Sequence, residues 1–154
     1  MIRRVFSTLI LLCVLAVSPS VVTAAPTSAN SSVMGKWQTR DEKTGEPSSV
    51  ITIWQERGLY FGKISKIYSM KSHQPLERCL KCKGDQYNQP ILGLTIIKNL
   101  KEEEGKYVDG TILDPRSGKE YHCTLQVIKG GQELKVRGYL GVSLFGQTRI
   151  WYRL

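Results

Sequence analysis

Histidine is scarce in this chain of 154 residues, and the other residues around which catalytic and metal centres are built are few. There are two histidines, His73 and His122, and four cysteines, Cys13, Cys79, Cys82 and Cys123. No serine lies in a nucleophile elbow, and no motif announces a paired acid and base, so an enzymatic reading has little to stand on. No stretch after Val33 carries a helical period, which argues against a bundle. Acidic residues are outnumbered, 13 against 22 basic ones, for a formal charge of +9. That excess points to an anionic partner only if the charges belong to the mature chain and cluster. What is present is enough for one domain: the length suits a single unit, and 41% hydrophobic residues can bury a modest core. A multi-domain enzyme and a disordered tail are both excluded on that ground.

The first segment to set aside is residues 1–24, which read as a secretory signal peptide. Arg3 and Arg4 form a basic start, Val5 to Val17 an apolar stretch, and Pro19 a break before the small residues Val22-Thr23-Ala24. Cleavage is placed after Ala24, since a cut one residue later would put Pro26 just past the bond. The apolar run is too short to span a bilayer, which needs roughly 20 residues. Leu12 before Cys13 does not suit lipid attachment. The chain is therefore expected to be exported, to the periplasm or beyond, with no integral membrane segment after cleavage. Removal of Arg3 and Arg4 lowers the formal charge from +9 to +7, and removal of Cys13 leaves three cysteines. Residues 25–33, rich in Ser, Thr, Pro and Asn, are expected to form a flexible lead-in, with the ordered domain over residues 34–154.

That domain reads as a β-meander. Alternating or apolar segments are expected to be strands at Lys36–Arg40, Ser49–Gln55, Leu59–Tyr68, Ile91–Lys98, Tyr107–Leu113, Glu120–Ile128, Leu134–Leu140 and Gln147–Tyr152. Turn signals separate most of them, among them Glu56-Arg57-Gly58, Asp114-Pro115-Arg116-Ser117-Gly118 and Gly130-Gly131. About eight strands joined by short turns predict an all-β fold, a single antiparallel up-and-down barrel, with a sandwich as the alternative. The one long connection, from Ser69 to Pro90, carries the Cys79–Cys82 pair; loops of that length are often functional.

Several motifs then resemble one bacterial exported family, catalogued as domain of unknown function 2147. They are Gly35-Lys36-Trp37, the hairpin from Asp114 to Tyr121, and Leu134-Lys135-Val136-Arg137-Gly138-Tyr139. Cys79-Leu80-Lys81-Cys82, Gln89-Pro90-Ile91-Leu92-Gly93 and Gly146-Gln147-Thr148-Arg149-Ile150-Trp151 complete the set, in the family's order. The resemblance covers residues 34–154 and implies a lipocalin- or calycin-like barrel in the bacterial envelope. It implies no activity. Within it, Gly35 and Trp37 are similar to the Gly-x-Trp of lipocalins, where an arginine from the barrel's end packs over the indole. Arg149 or Arg153 could supply that guanidinium and close the barrel.

Cys79 and Cys82 admit three chemistries. A redox pair would need a thioredoxin-like βαβ setting that is missing. Zinc would need four ligands, and of the histidines only His73 could join the cysteines, because His122 and Cys123 point to opposite faces of one strand. A disulfide suits an exported chain, and a bridge from Cys79 or Cys82 to Cys123 is favoured because it would close the larger loop. The remaining thiol is then either buried or available to cross-link a homodimer. Neither a metal nor a cofactor is expected. Glu102-Glu103-Glu104 reads as a solvated run between strands.

The basic residues are dispersed, apart from Arg78, Lys81 and Lys83 on the cysteine loop, so nucleic acid is not the expected partner. The reading that best unites these features is a non-catalytic barrel binding a small apolar or amphipathic ligand, such as a fatty acid or lipid fragment. Its expected lining is Ile51, Ile53, Phe61, Leu94, Ile96, Tyr121, Leu125, Val136 and Tyr139. A barrel filled by its own side chains would instead be a structural or interaction module of the envelope, with the basic cysteine loop as its contact surface.

Overall fold

A computed structural model describes residues 32–69 and 75–154. The segment read as an export signal, most of the lead-in, and His73 lie outside the described residues.

Among the described residues, eight strands close into one antiparallel barrel in sequence order. They are β1 (Gly35–Arg40), β2 (Pro47–Glu56), β3 (Leu59–Ile67), β4 (Thr95–Glu103), β5 (Lys106–Asp114), β6 (Lys119–Ile128), β7 (Glu133–Tyr139) and β8 (Gln147–Arg153). Each strand alternates because one face meets the interior and the other water. On β7, for example, Leu134 and Val136 are buried while Lys135 is exposed. Short turns between β2 and β3, β4 and β5, and β6 and β7 gather at one end with the start of β1. The longer connections gather at the other.

The short-turn end is packed shut. Closure is made by β1 against β8, and only Trp37 with Arg153 and Gln38 with Tyr152 are paired across that seam. Side chains reinforce it on both faces. Inside, the Arg153 guanidinium lies 4.1 Å from the centre of the Trp37 ring; outside, Arg40 lies 5.0 Å from that of Tyr152. Arg153 also donates to the carbonyls of Ser32 (2.6 Å), Met34 (3.1 Å) and Gly131. Gly35 leaves room for this: its φ is +126°, and a Cβ there would stand 3.2 Å from Arg153 Nη1. Arg149 is at the opposite end of β8, so of the two arginines considered for closure only Arg153 reaches Trp37.

Val33, just before β1, completes the plug. It is fully buried, takes the Trp37 Nε1–H on its carbonyl at 2.7 Å, and donates its own N–H to the Tyr107 hydroxyl at 3.2 Å. Beneath it Tyr60 and Tyr107 meet edge to face at 4.7 Å, and the Tyr60 hydroxyl donates to Glu102 at 2.7 Å. Burial, reinforced by that carboxylate, pushes the Tyr60 phenol up to about 12. Glu102 and Glu103 therefore belong to β4, and only Glu104 stands in the turn. Their charge does not end the strand: Glu102 pairs in register with Tyr107, and its carboxylate is satisfied by the Tyr60 hydroxyl.

The start of β4 also differs from expectation. Ile91–Lys98 is not one strand: Gly93, at φ +90°, breaks the run, and strand geometry begins at Thr95. Ile91 and Leu94 are buried nonetheless, as part of the long connection folding back onto the barrel.

That connection is held by its own hydrogen bonds. Cys79 N–H donates to the Gln89 carbonyl (2.9 Å), and Ile91 N–H to that of Glu77 (2.9 Å). Within it Cys79 and Cys82 form a disulfide, with their Cα atoms 5.4 Å apart. The favoured bridge to Cys123 is thus not made. Cys123 lies inside the barrel wall, register-paired with Gly110 and Gly138, and fully buried. The disulfide knuckle instead sits on the β5–β6 hairpin loop, where Gly118 touches it so closely that a Cβ would fall 1.9 Å from the Lys81 carbonyl oxygen. Burial alone pushes the Cys123 thiol up to about 12, so it stays protonated and cannot reach a second chain.

Three outcomes follow. Arg153→Ala should cost about 3 kcal/mol, since it removes charged hydrogen bonds and the indole contact together, and urea titration would measure it. Tyr60 loses its proton near 10.0 when unfolded and near 12 when folded, so its contribution is intact below pH 10 and fades as pH rises toward 12. The urea midpoint should therefore fall more steeply over that range in wild type than in Tyr60→Phe. In a chain beginning at Ala25, thiol titration should find none reactive in the native protein, one in denaturant, and three after reduction.

Candidate functional site

The long-connection end of the barrel is open, and its interior is hollow. The larger hollow, about 490 Å³, lies among β5, β6, β7 and β8. A smaller one of about 170 Å³ lies toward β1, β2 and β3. Ile96, Pro115, Arg116 and Trp151 border both, so the two are lobes of one mouth divided by the β5–β6 loop. Their combined size suits a small molecule.

The floor is apolar because the inward positions of four strands converge there. Val136 from β7 is buried, Tyr121 from β6 faces Ile112 of β5 in register, and the Trp151 indole separates the mouth from the packed half below. Gly138 adds width, with only ordinary contacts waiting where a side chain would begin. The rim is polar and basic. Asp114 is occupied by its own turn, accepting from Arg116 N–H (3.0 Å) and the Ser117 hydroxyl (2.6 Å).

One strand face runs the whole depth of the barrel. Gln147, Arg149, Trp151 and Arg153 alternate along β8 on the interior side, from mouth to plug. Arg149 is paired in register with buried Val136, and its guanidinium forms an ion pair with Glu42 from the β1–β2 turn. It also donates to Gln147 Oε1 at 2.9 Å and to the Thr148 carbonyl at 3.2 Å.

Of the nine expected lining residues, Ile51, Ile96, Tyr121, Val136 and Tyr139 border the mouth. Tyr139 does so only at the rim, since its ring stacks on His122 outside the barrel at 5.5 Å. Ile53 and Leu125 are buried in the packed half, and Leu94 in the long connection. Phe61 is misplaced by the expectation. It faces outward and stacks on Trp54 at 5.8 Å, because Tyr60, Gly62 and Ile64 hold the inward positions of β3. The expectation misses Trp151, Ile112 and Glu42 and assigns Arg149 to the closure rather than to the mouth. The β8 alternation could have revealed Trp151 and Arg149, whereas Glu42 arrives through a loop that no periodicity predicts.

The outer rim combines exposed apolar tips with cations. Leu144 and Phe145, in the 3-10 turn Ser143–Phe145 between β7 and β8, are 81% and 79% exposed. On the other side Leu76, Arg78, Leu80 and Lys81 surround Pro115 and Arg116. Arg78 donates to the Asn88 carbonyl (3.0 Å) and side chain (2.9 Å), so part of this cluster serves the loop's own folding. Among the described residues no three His, Cys, Asp or Glu side chains gather as a metal-holding group, and no helix is long and apolar enough to cross a membrane.

The architecture has a solved counterpart. The chain is similar to protein HP1028 from the human pathogen Helicobacter pylori, described as belonging to the lipocalin family, at 17% identity and a TM-score of 0.66. The likeness covers 80% of this chain and 83% of that one, and at this identity it speaks for the fold. No curated protein matches the chain. A family described as uncharacterized protein conserved in bacteria matches residues 35–153, from the start of β1 to the end of β8. The chain belongs to this bacterial family, DUF2147.

Proposed function

We propose that the protein binds a small apolar or amphipathic molecule in the barrel mouth and does no chemistry on it. The observation that carries this reading is the contrast between the two ends. One is sealed by Val33, Trp37 and Arg153, while the other keeps a hollow of about 490 Å³ above Trp151. Side chains could fill a barrel of this size throughout, and here they stop half way. An apolar floor with a few polar groups at its edge is the usual make-up of a ligand site. The basic, then apolar, then small-residue order of residues 1–24 supports action in the bacterial periplasm.

A second reading, a docking module of the envelope, draws on the exposed Leu144 and Phe145 at the rim. The two differ in a simple assay. Protein recovered from the periplasm and weighed intact under native conditions should carry a bound small molecule. It should also take up one neutral N-phenylnaphthylamine per chain, and Val136→Trp should weaken that uptake at least about tenfold, by filling the floor. A ligand-free mass with no dye uptake would leave the docking module as the better account.

A further inference from the structure

Arg149 is an unusual residue to find on the inner face of an apolar mouth. It stands two positions above Trp151 and opposite Val136, so its guanidinium sits where the hollow meets solvent. Its acidic partner is not another barrel residue. It is Glu42, on the turn between β1 and β2, whose side chain is 62% exposed. A strand thus contributes the cation, and the turn beside it contributes the carboxylate.

We infer that the mouth selects amphiphiles with a carboxylate head, and that the ligand's head replaces Glu42 on Arg149. This deepens the ligand-binding reading above and rests on it. Three features carry it. The guanidinium already holds one carboxylate oxygen through Nη2, a contact that a ligand carboxylate can copy. The resident pair is exposed on both sides, at 41% and 62%, and pairs of that kind contribute little and exchange readily. A ligand that buries its chain over Ile112, Val136 and Trp151 holds its head beside Arg149 at a high local concentration, which a loop residue does not match. Gln147 and the Thr148 carbonyl hold the guanidinium in place whichever carboxylate is bound.

The exchange also makes Glu42 a latch. With the mouth empty, the turn from Asp41 to Glu46 is tied to β8; with a carboxylate bound, that tie is released. The turn keeps its own shape through Asp41, which accepts the N–H groups of Lys43 and Thr44 at 3.0 Å each. A neutral head offers Arg149 no charge and leaves Glu42 where it is.

Dodecanoate, dodecanol and acetate, titrated by calorimetry against wild type, Arg149→Gln and Glu42→Gln, test this. Dodecanoate should bind wild type at least about tenfold more tightly than dodecanol, and Arg149→Gln should abolish that preference without weakening dodecanol. Glu42→Gln should tighten dodecanoate by about two- to fivefold and leave dodecanol unchanged. Equal binding of the two amphiphiles, unaffected by Arg149→Gln, would overturn the head-group site while leaving the apolar cavity standing. Acetate binding as tightly as dodecanoate would reduce the site to an anion site with no chain selection, which also overturns it. If neither amphiphile nor the neutral dye binds, the cavity reading itself fails, and this inference with it.

Discussion

A barrel must close, and here the closing seam has the least backbone to work with. β1 contributes only six residues, and two of them pair with β8. Every other strand interface is longer, so the seam would be the first place for the sheet to open. Arg153 makes up the deficit. Its guanidinium lies on Trp37, ties the incoming residues Ser32 and Met34 to the barrel, and reaches across to Gly131 in the β6–β7 turn. One charged side chain thus joins the first strand, the last strand, a turn and the segment before the first strand. Burial lowers its pKa, yet an arginine so placed remains charged, which a lysine there would do less dependably.

The sealed end and the hollow end depend on one another. A plug of Val33, Trp37, Tyr60 and Tyr107 supplies the dense packing from which a small domain draws its stability. With that half secured, the other half can leave space unfilled, although unfilled apolar space is a standing cost. The loops follow the same division. Tight turns cluster where packing is dense, and the long connections with their disulfide knuckle cluster where the interior is accessible. The knuckle steadies the β5–β6 hairpin through contact at Gly118 and so shapes the divider between the two lobes.

Much of this was legible in the residues. Alternation between apolar and polar positions located all eight strands, because a sheet with a wet face and a dry face imposes that period on its sequence. The exceptions are instructive. Ile91–Lys98 looked like one strand because burial, not strand geometry, makes a run apolar, and Gly93 was the only local sign of the break. Glu102 and Glu103 looked like a turn because their charge hid a strand whose neighbours sit at the wet edge of the plug. The cysteine pairing is not legible in the sequence, since loop closure favours long loops and carries no sign that Cys123 is walled inside the barrel. The lining suffered from a similar blindness. Val136, Tyr121 and Ile96 follow from alternation, but which end of an inward stripe is packed and which is empty depends on what the loops bring, and the phase of β3 puts Tyr60 rather than Phe61 inside.

The stripe on β8 has a consequence for how the molecule tolerates change. Sliding that strand by a single residue would turn Arg149, Trp151 and Arg153 outward together. The guanidinium at the mouth, the indole floor and the seal at the base would be lost in one step, though no contact among the three is broken directly. Length variation in the turn from Leu140 to Gly146 is harmless only when it leaves this phase intact. The last strand therefore acts as a ruler for the whole barrel: its alignment sets the depth of the hollow and the tightness of the closed end at once.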